Sequence, residues 1–312
     1  MPMANSTKAD LLMLLVTLLA AISWMFSKEA VMLMPPLLFI GTRFLLAAVL
    51  LGVFAIPQLL ALSREQLLRS LRVGLVFGVA MSCWVNGLNH ASHIGEGAFL
   101  TSLGVVMVPV IARLAFAEAQ PASTWLALPV AVAGLALLSL EHGFRPEPGQ
   151  IYFIIAAAIF ALYFTLNTHA ANAHTITNSD GTTRERDRIP VLALTTVALS
   201  CVGLVALSAS FLIEPWHATF SNFTPTLAGW ILASAVIGTA GRFFVQTWAQ
   251  SLSTQNHGVV ILVLEPIWVA LIAAAWFAES MSVAQLGGCG LIFAALLINR
   301  WSAVSRLLKK WL

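Results

Sequence analysis

The sequence is poor in charge. Only 9% of its 312 residues are Asp, Glu, Lys or Arg, whereas soluble domains carry about a quarter. This scarcity excludes an ordinary soluble domain. What fills the chain instead is apolar: 59% of the residues are hydrophobic and the mean hydropathy is +0.90. The composition is that of a membrane protein.

Cysteine is also scarce, and the usual catalytic and nucleotide-binding motifs are missing. Cys83, Cys201 and Cys289 stand singly in apolar segments, without a CxxC pair or a Cys/His cluster, so neither a disulfide framework nor a metal site is expected. The sequence has no GxxxxGK[ST], no HExxH and no GxSxG with triad partners. These absences argue against ATP drive within the chain, enzyme activity and a bound cofactor.

The excess of basic over acidic residues in the chain has a simple explanation. A pI of about 9.0 could indicate nucleic acid, but membrane proteins also collect Lys and Arg in their cytoplasmic loops. We expect the lipid bilayer as a partner and no nucleic acid. Lys8 precedes an apolar run without a clear small-residue cleavage site, so this run is interpreted as an uncleaved first span.

Long apolar runs predict an all-α polytopic protein with ten transmembrane helices. A helix needs roughly 20 apolar residues to cross a bilayer, and runs such as LLMLLVTLLAAISWMF lack the alternation of a β-barrel. The predicted spans are about 10–28, 34–57, 69–91, 95–117, 123–141, 149–171, 189–213, 226–251, 256–277 and 281–300. An even number of spans puts both termini on one side.

The distribution of Lys and Arg predicts which side that is. Twelve of the sixteen fall on the side of the termini, whereas only Lys28 and Arg145 fall on the other; Arg43 and Arg242 lie within spans. Positive residues concentrate on the cytoplasmic side. We therefore expect a multi-pass protein of the inner (plasma) membrane with both termini in the cytoplasm.

Two segments 161 residues apart indicate an internal repeat. EGAFLTSLGVVMVPVIARLAFAE ends at Glu118 and HGVVILVLEPIWVALIAAAWFAE ends at Glu279. The match predicts two five-helix repeats, 1–148 and 149–312, with a polar loop over 172–188 between the sixth and seventh helices. Five is odd, so the second repeat is inverted, which is typical of transporters with a central substrate cavity between the halves. A chance match of two apolar helices is the alternative.

The chain resembles the drug/metabolite transporter superfamily with EamA-type repeats. The resemblance rests on Trp24, Lys28, Pro35 and Arg43 in SWMFSKEAVMLMPPLLFIGTRF, and on LEPIWVALIAAAWFAESMSVAQLGG in the second half. In overall likeness the chain is most similar to the YddG exporters, which implies export of aromatic amino acids and some cationic drugs. The pattern departs at Val105, which aligns with Pro266, and the seventh span has no arginine to match Arg43.

Four spans carry polar or aromatic side chains three or four residues apart, hence on one helix face. They are Trp24 and Lys28 in the first; Ser82, Asn86, Asn89 or His90, and His93 in the third; Phe160, Tyr163 and Asn167 in the sixth; and Thr239, Arg242, Gln246, Gln250 and Ser253 in the eighth. Polar groups within a membrane usually face a cavity. We predict a substrate cavity among spans one, three, four, six, eight and nine, with five and ten peripheral. Helix–helix contact is the alternative for each residue.

Glu265 and Pro266 interrupt the ninth span. Arg242 lies 12 residues before a predicted turn near Thr254, and Glu265 lies 11 residues after it, so the two are expected to form a buried charge pair. Pro266 removes a backbone donor and is predicted to act as a hinge. A static pair that only fixes helix register, and proton coupling through Glu265, both remain open.

These features predict a secondary transporter that exports amino acids, aromatic ones and related small amphipathic metabolites, by alternating access. Amide groups offer donors and acceptors to a zwitterion, and the rings of Trp24 and Tyr163 offer faces to an aromatic or cationic group. A multidrug or other metabolite exporter of the same fold, or a channel-like facilitator, is the alternative. The substrate and the bilayer are the expected partners of a monomer or weak dimer.

Overall fold

A computed structural model describes residues 5–90, 94–139, 148–177, 183–216, 219–220, 223–252, 261–277 and 282–299. Over these ranges, six helices are long and apolar enough to cross a membrane: α1 (Asn5–Val31), α2 (Pro36–Leu60), α3 (Arg64–His90), α6 (Pro148–Ala171), α7 (Val191–Ile213) and α8 (Pro225–Ser251). The helices α4 (Ile94–Phe116), α5 (Ala122–Ser139), α9 (Glu265–Phe277) and α10 (Val283–Asn299) contain shorter apolar stretches. The architecture is that of a polytopic helical membrane protein.

Local sequence signals define several helix starts. Pro35 and Pro190 precede α2 and α7 with φ angles of −55° and −54°, close to the value that the proline ring imposes. Thr224 caps α8 by accepting a hydrogen bond from the Leu227 amide at 3.2 Å. The first turn of α2 is capped from another helix end, because the Glu214 carboxylate accepts from the amides of Leu37 and Leu38 at 2.8 and 2.9 Å.

Helices α2 and α7 pack antiparallel through reciprocal glycine contacts. A Cβ on Gly41 would meet the Leu207 side chain at 2.5 Å, and a Cβ on Gly203 would meet the Leu45 side chain at 2.6 Å. Gly41 and Leu45 of one helix thus exchange roles with Gly203 and Leu207 of the other, at a constant offset of 162. This reciprocity is the pattern expected of a pseudo-two-fold axis between them.

A second helix pair has the same kind of contact. A Cβ on Gly134 of α5 would lie 2.9 Å from the Ile292 side chain of α10, and a Cβ on Gly288 would lie 2.6 Å from the Leu138 backbone. These glycines let the two helices approach closely. The two pairs agree with the predicted inverted repeats, which stay a prediction for the chain as a whole.

The predicted polar loop at 172–188 contains a short antiparallel hairpin. Its strands are β1 (His174–Thr177) and β2 (Thr183–Arg186), with His174 opposite Arg186 and Thr177 opposite Thr183. The segment after it is fastened to α3, because Arg69 donates to the Asp187 carbonyl at 2.9 Å. The hairpin therefore lies beside the N-terminal end of α3.

Helix α8 changes its winding in the middle. Residues Ser234–Gly241 form a π-helical segment between two α-helical parts, Pro225–Ala233 and Arg242–Ser251. The Thr239 hydroxyl donates to the Ser234 carbonyl five residues earlier, at 2.9 Å. Such π segments widen the helix locally and are frequent at functional sites.

Candidate functional site

A central cavity lies among seven of the helices. It encloses about 760 Å³ of space not filled by protein atoms, including the part open to solvent. Aromatic side chains form much of its wall, which also contains two arginines and one glutamate. Its described lining is Ser23, Trp24, Arg43, Phe77, Met81, Trp84, Thr101, Ser102, Val105, Phe160, Tyr163, Phe164, Arg242, Phe243, Leu262, Glu265, Pro266 and Val269. The cavity thus lies among the six predicted helices, and α2 contributes Arg43 as well.

Arg43 is the most deeply buried charge on this wall. Only 2% of the residue is exposed. Its Nε donates to Thr239 Oγ1 at 2.9 Å, Nη1 to Ser27 Oγ at 2.7 Å, and Nη2 to Ser23 Oγ at 3.1 Å. Three neutral hydroxyls from α1 and α8 therefore hold the guanidinium of α2, and within the described residues no carboxylate lies in ion-pair distance of it.

The π segment of α8 makes this arrangement possible. A Cβ on Gly238 would lie 2.5 Å from Ser23 Oγ, so only glycine allows α1 and α8 to approach here. The next residue, Thr239, is fully buried. Its hydroxyl donates to the backbone within α8 and accepts from Arg43, so the winding of α8 sets the position of one Arg43 acceptor.

Arg242 and Glu265, the predicted charge pair, are in contact. Arg242 Nη2 lies 3.3 Å from Glu265 Oε2, and the two side chains are 16% and 17% exposed. The other carboxylate oxygen, Oε1, accepts from Trp24 Nε1 at 2.7 Å. Glu265 thus ties α9 to α1 and α8, whereas Arg242 Nε is buried without a hydrogen-bond partner in the part of the chain that the structure describes.

Pro266 differs from its expected place within a helix. Residues 261–264 form a 3₁₀ turn, and α9 begins at Glu265. Pro266 therefore stands in the first turn of α9, where its missing N–H breaks no helical hydrogen bond. The predicted hinge role is untested, but any bending there would occur at a helix start and not in mid-helix.

Aromatic side chains pack tightly on one side of the cavity. Tyr163 stacks on Phe77 with ring centroids 4.1 Å apart, and Phe77 contacts Phe243 edge-on at 4.9 Å. Elsewhere on the wall, Trp24 meets Trp84 edge-on at 4.9 Å. Tyr163 is 2% exposed, and its hydroxyl accepts from Gln246 Nε2 at 3.4 Å.

Three of the predicted cavity residues lie between α6 and α8. Asn167 Nδ2 donates to Thr247 Oγ1 at 3.2 Å and to Gln250 Oε1. Gln250 Nε2 donates to Thr168 Oγ1 at 3.2 Å and to the Phe164 carbonyl at 3.3 Å. Asn167, Gln246 and Gln250 are all buried outside the described cavity lining, so this network joins the C-terminal ends of the two helices.

The remaining predicted residues also lie off the cavity wall. Asn86 Nδ2 donates to the Ser82 carbonyl in its own helix at 2.8 Å, and His90 Nδ1 is 2.8 Å from the Asn86 carbonyl. Asn89 and His90 are exposed, and Lys28 is half-buried. Ser82 Oγ is buried, and no described residue forms a hydrogen bond with it. Of the predicted stripes, Trp24, Phe160, Tyr163 and Arg242 line the described cavity. His93 and Ser253 lie outside the described residues.

The polar stripes predicted from the sequence did not include Arg43. It stands among apolar neighbours in FIGTRFLL, so no periodic polar pattern points to it. A lone arginine within an apolar span was nevertheless a usable signal, because such a charge is costly unless it has a function or a partner.

Comparison with known proteins finds two likenesses to transporters. Residues 7–140 match the EamA-like transporter family. An uncharacterized transporter of Archaeoglobus fulgidus is 25% identical over 297 residues, which cover 93% of this chain and 85% of the relative. The chain is thus similar to EamA-like transporters over residues 7–140 and to an uncharacterized transporter over most of its length, and neither likeness identifies a substrate.

A likeness of fold extends over nearly the whole chain. One solved crystal structure aligns with a TM-score of 0.72, covering 96% of this chain and 99% of the other, at 16% identity. At that identity the likeness concerns the fold alone. The fold therefore has an experimentally determined counterpart.

Proposed function

We propose that the protein is a secondary transporter that exports amino acids, aromatic ones and related small amphipathic metabolites, across the inner membrane by alternating access. One observation carries the proposal: a central cavity whose wall combines aromatic rings with buried charges. An apolar wall with few polar groups is typical of small-molecule sites. An amphipathic substrate matches both parts of this wall.

The two parts of the wall suggest how such a molecule is held. Trp84, Phe160 and Met81 offer an apolar surface to an aromatic side chain. Arg43, Arg242 and Glu265 offer charge to its polar end. Because the charges are buried, their attraction to a ligand is screened less than at an exposed surface.

The packing around the cavity supports alternating access. The network of Asn167, Thr168, Thr247 and Gln250 holds α6 and α8 together at their C-terminal ends, which the sequence prediction assigns to the cytoplasmic side. Tyr163 closes the cavity on the side of that network. Trp24 borders the cavity near the C-terminal end of α1. Transport then requires α6 and α8 to separate, with Tyr163 and Trp24 closing one face in turn.

Counterflow in proteoliposomes tests the proposal. Vesicles with the purified full-length protein are loaded with unlabelled phenylalanine, and entry of labelled phenylalanine is followed with and without a pH gradient. Internal substrate should accelerate entry, and Trp24→Ala and Tyr163→Ala should both impair exchange at normal protein levels. Phe54→Ala is the matched control, because Phe54 is an exposed ring on α2.

The same assay separates the alternatives. Entry that internal substrate does not accelerate indicates a channel-like facilitator. Exchange that survives in both Trp24→Ala and Tyr163→Ala contradicts the gating roles. Exchange of cationic drugs without any exchange of amino acids contradicts the substrate class and favours a multidrug exporter.

A further inference from the structure

The charges on the cavity wall do not balance. Arg43 and Arg242 contribute two positive charges, and Glu265 contributes the single negative charge among the described lining residues. Glu265 is already engaged, since Trp24 donates to one of its oxygens and Arg242 to the other. The described wall thus carries one positive charge in excess, and Arg43 is the arginine without a carboxylate.

We propose that Arg43 is the subsite for a carboxylate of the substrate, and that the cavity requires this carboxylate but not an amine. The inference rests on the proposed transport function and deepens it. The substrate class becomes small carboxylates with an apolar or aromatic body, of which amino acids are one kind.

The environment of Arg43 leaves it in need of an anion. A buried charge is costly unless it is paired and hydrogen-bonded. Ser23, Ser27 and Thr239 supply hydrogen bonds to Arg43 but no charge. A substrate carboxylate in the cavity supplies the missing negative charge, and the low local dielectric strengthens that attraction.

The guanidinium keeps free donors for such a ligand. Arginine has five N–H groups in a planar fork, and the three hydrogen bonds to hydroxyls use one each on Nε, Nη1 and Nη2. Each terminal nitrogen therefore retains a second N–H that can donate to a carboxylate oxygen. Arg242 Nε, buried without a partner, is a further donor on the same wall.

An amine has no comparable subsite on the described wall. Two arginines repel an ammonium group, and the charge of Glu265 is already paired with that of Arg242. Ser102 and Thr101 can accept from an amine, and Thr101 Oγ1 is buried without a partner, but both are neutral. The wall therefore tolerates an amine without depending on one.

Three probes with the same ring test this assignment. 3-Phenylpropionate carries only the carboxylate, phenylalanine carries both groups, and phenethylamine carries only the amine. Each is tested for thermal stabilisation of the detergent-purified full-length protein, because a ligand that binds the folded state raises its stability. The first two should stabilise the protein and phenethylamine should not.

Variants locate the effect at Arg43. In Arg43→Gln, stabilisation by 3-phenylpropionate should require at least about tenfold more ligand, which corresponds to about 1.4 kcal/mol. Arg43→Lys keeps the charge but loses the fork, so it should lie between Arg43→Gln and the unmodified protein. Arg113→Gln is the control, because Arg113 is exposed near the end of α4.

Every outcome decides the assignment. Equal stabilisation by phenethylamine and 3-phenylpropionate overturns it, as does unchanged 3-phenylpropionate binding in Arg43→Gln or the absence of stabilisation by all three probes. If Arg43→Gln does not fold, the affinity of Arg43→Lys decides in its place. If 3-phenylpropionate binds through Arg43 while phenylalanine shows no counterflow, amino-acid export is wrong and the carboxylate subsite stands.

Discussion

Arg43 and Arg242 lie on the same cavity wall, and they differ in what meets their charge. Arg242 pairs with the carboxylate of Glu265, whereas Arg43 donates to three hydroxyls. A carboxylate neutralises its arginine and makes it part of the helix packing. Hydroxyls fix an arginine in position and leave its charge available to a ligand. The two residues should therefore respond differently to the same substitution.

The largest expected effect is a loss of stability on breaking the charge pair. Arg242→Gln leaves Glu265 without its cation, and removing one partner of a buried pair costs about 3–5 kcal/mol. We expect the lower end of that range, because both side chains keep about a sixth of their surface exposed. The melting temperature in detergent measures the loss.

A double-mutant cycle then tests whether the pair is coupled. Glu265→Gln should also destabilise, and the double variant should lose less than the sum of the two single losses, by about 0.5–3 kcal/mol. The same cycle, measured on transport activity, decides whether the pair only fixes the helices in position or also takes part in transport. Additive losses contradict the pairing, and Glu265→Gln with unchanged export and pH dependence rules out proton coupling through this carboxylate.

The second effect sharpens the contrast, because Arg43→Gln should act on transport more than on stability. Its removal leaves no opposite charge unpaired among the described residues, so the melting temperature should fall less than in Arg242→Gln. Hydrogen bonds to charged groups are worth about 1.5–3 kcal/mol, so exchange should fall about 10- to 100-fold. A larger loss of stability than in Arg242→Gln, with normal exchange, contradicts the contrast.

The same two arginines show how far the sequence could go. The Arg242–Glu265 contact follows from counting residues on either side of a hairpin, and its partners are close in the chain. The acceptors of Arg43 come from two other helices, and one of them depends on the π-helical winding at Ser234–Gly241. Neither hydrophobic periodicity nor propensity indicates such a segment, so this part of the site required the structure.

The polar stripes mark a second boundary of sequence analysis. Spacing put Asn167 and Gln250 on inward faces, and both are buried. Residue spacing could not distinguish an amide on a cavity wall from an amide in a helix–helix contact, because an inward-facing amide can find hydrogen-bond partners in either place. Here the amides on α6 and α8 satisfy each other, whereas the rings of Phe160 and Tyr163 on the same α6 stripe reach the cavity. The multi-pass helical class, by contrast, follows from composition alone.

A third expected effect concerns how the Arg43 hydroxyls are assembled. Gly238→Ala places a Cβ 2.5 Å from Ser23 Oγ and 2.8 Å from Ser23 Cβ, well inside van der Waals contact, so α1 and α8 must move apart. Overpacking of this kind costs about 1–3 kcal/mol, and the altered position of Ser23 should weaken 3-phenylpropionate binding as well. Thermal stability and binding are measured together.

Gly229→Ala provides the matched control for that substitution. Gly229 lies in the same helix α8, and a Cβ there meets nothing within 4 Å. Since alanine favours a helix by about 1 kcal/mol over glycine, Gly229→Ala should be neutral or stabilising. Equal behaviour of the two variants contradicts the role given to the close approach at Gly238.

The smallest expected effect lies in the α6–α8 network, away from both arginines. Asn167→Ala removes hydrogen bonds to Thr247 and Gln250, and polar contacts between membrane helices average about 0.6 kcal/mol. If the network keeps one face of the cavity closed, losing about 0.6 kcal/mol of its stability should raise the population of the open state about threefold. The exchange rate should change by no more than that factor, with substrate affinity nearly unchanged. Thr195→Ala is the control, because among the described residues the buried Thr195 hydroxyl bonds only within α7, to the Val191 carbonyl. A loss of exchange in Asn167→Ala as large as in Arg43→Gln would place the amide network, and not the unpaired arginine, at the centre of substrate binding.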